Sequence, residues 1–317
     1  MIERIRGLWR TATAPVRAVW LGVGIAWQVY HPAPRPLGDT PESRGLEFET
    51  WNWRTHRDRI DIEGWFVEGT GPDAVLVQHG VGRSRSETLA HVELLHQAGY
   101  HVLTVDMRNH GASGRCRSVT AMSSRYTSDL LDALSQLRSD PRVSGAIGCL
   151  SMSFSTWPAV SAGATTDADR LGLRAVVCDS GPVIDIRRAI ARFATALAWR
   201  DERVSTPAAR RVIEVVAPSA AALILAVGRR WPRSGCELPV LLVAGGRDRL
   251  LPADEVTAMT PYLPDVRTWV ARRASHLAAI TSDPAGYREQ VIGFFDEHLR
   301  DGYHVGSGVG GAGMGAS

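Results

Sequence analysis

The chain contains no lysine: all 36 of its Lys+Arg positions are arginine. Without that amine, a pyridoxal-phosphate or aldolase Schiff base is excluded, and so is the lysine of a phosphate-binding Walker loop. Cysteine is scarce too. Cys116, Cys149, Cys178 and Cys236 stand far apart with no metal-ligand spacing, and Cys149 and Cys178 fall in strand-like runs that suit a small buried hydrophobe. No structural disulfide is expected, which is compatible with a reducing compartment. A formal net charge of +3, with the arginines dispersed, argues against a nucleic-acid partner. No two histidines share metal-ligand spacing with a carboxylate, so neither a metal nor another cofactor is expected. The tail holds Gly308-Val-Gly310-Gly-Ala-Gly313, a literal Gly-x-Gly-x-x-Gly. No strand precedes it, so it is read as part of a glycine-rich disordered tail over 304–317 and not as a dinucleotide loop.

What the chain does have is a core: 44% of its 317 residues are hydrophobic. From Gly45 onward, apolar alternation predicts two antiparallel strands over Leu46–Trp53 and Ile60–Val67. Continuous apolar runs follow at Ala74–Gln78, His101–Val105, Gly145–Leu150, Arg174–Cys178, Val240–Ala244 and Val266–Val270. Helical periods intervene at Ser86–Gln97, Ser128–Leu137, Asp254–Thr260 and Ala285–Leu299, and such alternation implies a mostly parallel sheet covered on both faces. Between about 182 and 237 the alternation lapses into helices, Ile184–Ala198 and Val212–Val227, punctuated by Pro207 and Pro218. An excursion at strand ends suggests a lid over a binding site. The expected organisation is a 1–36 segment, a domain over 37–303 with this insertion, and the tail.

The first segment carries Arg4, Arg6, Arg10 and Arg17 ahead of an apolar run from Ala18 to Val29 broken only by Gln28. That run is shorter than the roughly 20 residues of a simple membrane span. Ile2, Ile5, Trp9, Ala12, Val16, Trp20, Val23 and Trp27 recur at helical spacing, which predicts a basic amphipathic helix. Two roles fit: an interfacial anchor within residues 1–30, or a helix packed on the domain. The location expected is cytoplasmic or membrane-associated, with secretion left open although no small-x-small cleavage site follows the run.

The chemistry centres on Gly145-Ala-Ile-Gly-Cys-Leu-Ser151-Met-Ser-Phe-Ser-Thr-Trp157, where a buried strand meets a serine flanked at two-residue spacing by the small residues Cys149 and Ser153. This is the layout of a nucleophile elbow. A serine hydroxyl needs a base, and the base needs an orienting carboxylate. Two later strand ends supply candidates: Gly245-Gly-Arg-Asp248 and Ser275-His276-Leu277, with Asp179 as a competing acid. On these motifs, and on His79-Gly80-Val81 and Asp106-x-Arg108-x-His110-Gly111-x-Ser113-Gly114, the chain resembles the α/β-hydrolase family over roughly Gly45 to Arg300. Both glycines of the family's usual Gly-x-Ser-x-Gly are replaced here. The resemblance, which leans toward the serine-aminopeptidase-like and esterase branch, implies a triad of Ser151, Asp248 and His276. It also implies an oxyanion hole made by the amides of Val81 and Met152, with Asp106 and Arg108 structural. The implied activity is hydrolysis of a carboxylic ester through an acyl-enzyme, and the apolar lid and N-terminal segment suit a lipidic one. Thioester or amide cleavage, acyl transfer to an alcohol, and a non-catalytic binding module are the alternatives.

Overall fold

The computed structural model describes residues 12–33, 35–196, 207–225 and 236–300. The tail expected to be disordered, and the first isoleucines and tryptophan of the amphipathic stripe, lie outside them. Eight strands form one sheet in the order β1-β2-β4-β3-β5-β6-β7-β8. They are β1 (Glu49–Arg54), β2 (Asp61–Val67), β3 (Ala74–Gln78), β4 (His101–Val105), β5 (Ile147–Met152), β6 (Leu173–Asp179), β7 (Val240–Gly245) and β8 (Val266–Ala271). β1 with β2 and β2 with β4 are antiparallel, and every other pairing is parallel.

The central strands read as unbroken apolar runs because both of their faces are covered. Successive side chains alternate between two cores. Leu76, Ile147, Cys149, Val176, Cys178 and Leu242 face one; Val75, Val77, Leu150, Val177, Leu241 and Val243 face the other. Each such aliphatic side chain contributes about 1.5–3 kcal/mol by leaving water. All four cysteines are free and buried within this framework.

The helices are α1 (Ala14–Tyr30), α2 (Leu89–Gln97), α3 (Met122–Ser139), α4 (Thr156–Gly163), α5 (Thr166–Arg170), α6 (Ile186–Ala196), α7 (Pro207–Leu225), α8 (Ala253–Thr257), α9 (Ala279–Ser282) and α10 (Pro284–Phe295). Between β6 and β7 the described residues include the two helices α6 and α7, as the periodicity indicates. Pro207 sits at the first position of α7, where a missing N–H costs nothing, and Pro218 lies inside that helix instead of ending it. α7 packs along α1. The seam is built from small residues: a Cβ added at Gly22 would stand 2.6 Å from Ala220 Cβ and 2.7 Å from Ala217 O. Ala14, Ala18, Gly22, Ile25 and Ala26 form the buried face of α1, while Val16, Val19, Trp20, Val23 and Trp27 are exposed. Its C-terminal end is fixed to the body of the domain, where Asn109 Nδ2 donates to Tyr30 O at 2.7 Å and the His31 ring meets Ser118 O at 2.8 Å.

Candidate active site

Register decides where the elbow falls. Gln78 lies opposite Ser151 and Met152 opposite Asp179, so β5 is still within the sheet at Ser151. Ser151 shares the parity of Ile147 and Cys149 and is wholly buried, with its hydroxyl 3.1 Å from Gln78 Oε1 and 3.3 Å from Cys149 Sγ. The chain leaves the sheet two residues later. Ser153 has φ +53°, a left-handed conformation that costs a non-glycine residue about 1–2 kcal/mol, and it opens the helical turn that leads into α4. Two glycines make the turn feasible: a Cβ at Gly80 would meet Ser153 Cβ at 3.1 Å, and one at Gly181 would meet Ser153 O at 3.0 Å.

The imidazole goes to the turn, not to the strand. His276, on the loop after β8, has Nε2 2.9 Å from Ser153 Oγ and Nδ1 2.7 Å from Asp248 Oδ2. Asp248 is buried just beyond β7, and its other oxygen accepts from Leu250 N at 2.8 Å and Leu251 N at 2.9 Å. A carboxylate only accepts, so Nδ1 of the neutral ring carries the proton and Nε2 is left to accept from the Ser153 hydroxyl. The two loops can lie together because they are glycine-lined: a Cβ at Gly245 would stand 2.7 Å from Ala274 O, and one at Gly246 2.5 Å from Arg272 O.

Two expectations are therefore corrected. Ser151 is not the serine that meets His276; strand parity turns it under the sheet, and Ser153 takes its place. Nor is the Met152 amide available as an oxyanion donor, because it donates to Ser155 Oγ at 2.8 Å. The residue after Ser153 is Phe154, in the first turn of a helical segment, where amides lack intrahelical acceptors. The signal for this register was present in the sequence. Ser151-Met-Ser153-Phe-Ser155 also has small residues two positions either side of a serine, and Pro158 marks the first turn of a helix that begins at 156.

The turn after β3 is held by two neutral histidines. His79 Nδ1–H donates to Gly80 O at 2.7 Å while its Nε2 accepts from Met107 N at 3.1 Å. His110 Nδ1–H donates to Arg108 O at 2.9 Å and its Nε2 accepts from Gly82 N at 3.0 Å. Burial pushes His79 down to about 4 and His110 down to about 3, so both rings stay uncharged. Between these clamps the Val81 amide has no acceptor among the described residues.

Beneath that turn, Asp106 accepts from Arg85 N at 2.8 Å, from Arg85 Nη1 at 2.9 Å and from Ala112 N at 2.9 Å. Arg108 is wholly buried, with a two-pronged contact to Asp129 and a 2.7 Å bond to Asp58. Both side chains tie loops together. Asp179, the competing acid, meets Ser180 and Tyr287 instead of His276. Among the described residues, no group of three or more His, Cys, Asp or Glu side chains could hold a metal ion.

Comparison with known proteins agrees with this architecture. Residues 74–290 match the alpha/beta hydrolase family. No curated protein matches the chain. An esterase of Pyrococcus furiosus superimposes with a TM-score of 0.69 at 24% identity, over 86% of this chain and 98% of that one. A thermophilic esterase from Thermogutta terrifontis gives 0.54 at 19% identity, over 78% and 98%. An E-2-(acetamidomethylene)succinate hydrolase gives 0.56 at 21% identity, over 78% and 100%. With the family matched over residues 74–290, about two thirds of the chain, and with this sheet order, the chain belongs to the alpha/beta hydrolase family.

Proposed function

We propose that the protein is a serine hydrolase that cleaves a carboxylic ester through an acyl-enzyme on Ser153. One observation carries this reading: an unbroken chain of hydrogen bonds runs from Ser153 Oγ through His276 to Asp248, beginning at a serine held in the left-handed region. In the first half-reaction Ser153 Oγ attacks the carbonyl carbon and its proton passes to His276 Nε2. The tetrahedral intermediate collapses, and the departing alcohol takes that proton. Water then attacks the acyl-enzyme, gives a proton to His276, and releases the acid as the proton returns to Ser153. Asp248 holds the tautomer and steadies the imidazolium. The amides of Val81 and Phe154 are the oxyanion donors in this scheme, each worth about 2.7–4 kcal/mol to the transition state.

The insertion at 182–237 acts as a lid on a hydrolase domain spanning 37–303. Supporting this, Arg192 of α6 donates to Leu250 O at 3.2 Å and pairs with Glu255, which fastens the insertion to the loop that carries Asp248. A lipidic ester is favoured. On α1, Trp20 is 71% and Trp27 50% exposed, and Leu223 of α7 adds to the bared apolar surface. Such a face suits contact with a lipid surface. No helix among the described residues is long and apolar enough to cross a membrane, so the contact envisaged is interfacial.

Fluorophosphonate labelling tests the assignment. The wild-type protein should label at Ser153, and Ser153→Ala should abolish labelling and cut p-nitrophenyl ester turnover by at least about 10³-fold. Ser151→Ala should still label. Label found on Ser151, or turnover surviving in Ser153→Ala, would overturn the reading.

A further inference from the structure

Asp179 ends β6 beside the elbow and Ser180 follows it; their side-chain hydrogen bonds go to each other, to Tyr287 and to the Leu277 amide, not to the side chains of Ser153 or His276. Their bonds nonetheless lead to the base. Asp179 is wholly buried; its Oδ1 accepts from the Ser180 hydroxyl at 2.9 Å and its Oδ2 from the Tyr287 hydroxyl at 2.9 Å. Burial, with Asp179 beside it, pushes the Tyr287 phenol far above its ordinary value, so that group is always a donor. His91 packs edge-on against Tyr287, with Nε2 3.9 Å from Asp179 Oδ2, beyond hydrogen-bonding reach. The carboxylate thus fixes which way the Ser180 proton points.

Once that proton is committed to Asp179, the Ser180 oxygen presents lone pairs on its other side. There it accepts from the amide of Leu277 at 3.1 Å, the peptide that immediately follows His276. The Ser180 amide is anchored in turn to Val243 O at 2.8 Å, on β7, the strand that leads into the Asp248 loop. Ser180 and Leu277 both have φ +58°, a conformation that costs each of them energy and is retained only where surrounding bonds enforce it. Two left-handed residues joined by one hydroxyl, at the point where the histidine loop crosses the sheet edge, form a fixed hinge pin for the imidazole.

We infer that Asp179 and Ser180 are positioning residues, which hold the Leu277 peptide so that His276 keeps both its 2.7 Å contact to Asp248 and its 2.9 Å contact to Ser153. The inference rests on the proposed triad. Catalytic geometry tolerates only fractions of an ångström, and a misplacement of about 1 Å can cost 10²-fold.

Ser180→Gly is the informative variant. Glycine adopts φ +58° without strain, so the change removes the hydroxyl while relaxing the backbone. The expected result is a kcat lowered by about 10- to 100-fold, KM within about twofold of wild type, and no loss of thermal midpoint. The downfield proton resonance of the His276 Nδ1–H bridge should broaden or move upfield. Unchanged kcat with an unchanged resonance would overturn the inference. So would a fall in kcat that only tracks a fall in thermal midpoint. Ser153→Ala, run alongside, separates the two claims: turnover surviving there refutes the triad itself, whereas turnover lost there and untouched in Ser180→Gly refutes only the positioning role.

Discussion

Asp248 accepts three hydrogen bonds from donors that cannot turn away, two backbone amides and the ring N–H of His276. In Asp248→Asn the amides of Leu250 and Leu251 would still claim an oxygen, which turns the new NH2 toward His276 Nδ1. That nitrogen must then accept, the ring proton moves to Nε2, and Nε2 can no longer take the proton of Ser153. The expected fall in kcat is about 10⁴-fold with circular dichroism unchanged, checked by steady-state turnover of an ester. Of the three residues in the proposed relay, sequence motifs single out two, Asp248 and His276, which the structure brings within 2.7 Å of each other. Asp248 and His276 follow strands whose ends are marked by glycine or by a change of period, so each could be placed by motif. The serine could not, because Cys149-x-Ser151-x-Ser153 and Ser151-x-Ser153-x-Ser155 satisfy one spacing rule equally well. What separates them is cross-strand register, which brings Gln78 beside Ser151 and is set by pairing between residues 73 apart in the chain.

The turn from His79 to Gly82 is an element whose stability depends on pH. Its clamps, His79 and His110, have folded-state values of about 4 and about 3, below the ordinary 6.5. Between those limits the unfolded chain binds protons that the folded one does not. The stability they contribute is therefore fully present above pH 6.5 and is lost as pH falls toward 4 and then 3. Where both rings are protonated only in the unfolded chain, the slope is ~2.7 kcal/mol per pH unit. Urea midpoints measured from pH 7.5 to 4.5 should decline accordingly, and His110→Asn should flatten the curve; a midpoint indifferent to pH would contradict the neutral-clamp account. The strands themselves were readable to within a few residues, since a doubly covered strand must be apolar throughout. The clamps were not, because a histidine that is buried and neutral looks in sequence like one poised for catalysis.

Across the whole molecule, α1 and α7 join the first and the inserted parts of the chain. The alanine and glycine face of α1 is consumed by that seam, whereas among the described residues the tryptophan face stays largely exposed, Trp27 stacking only on His31. Helical spacing foresaw an apolar stripe holding Trp20 and Trp27, yet it could not say that the smaller residues, not the tryptophans, would meet the protein. Removing α1 outright would uncover Ala217 and Ala221 and confuse lipid contact with lost packing. Trp20→Glu combined with Trp27→Glu alters only the outer face. Sedimentation with anionic phosphatidylglycerol vesicles should show the bound fraction fall by about tenfold or more while the thermal midpoint holds. Equal binding by both proteins would dismiss the interfacial role.

The seam also sets an order of events during synthesis. About 175 residues must be translated between Tyr30 and Pro207, which at ordinary rates of synthesis takes on the order of 10 s, before α1 meets the helix that covers it. Throughout that interval the nascent chain carries a largely apolar stretch, with Arg17 its one charge between Ala14 and Tyr30, still lacking the surface that will bury its small-residue face.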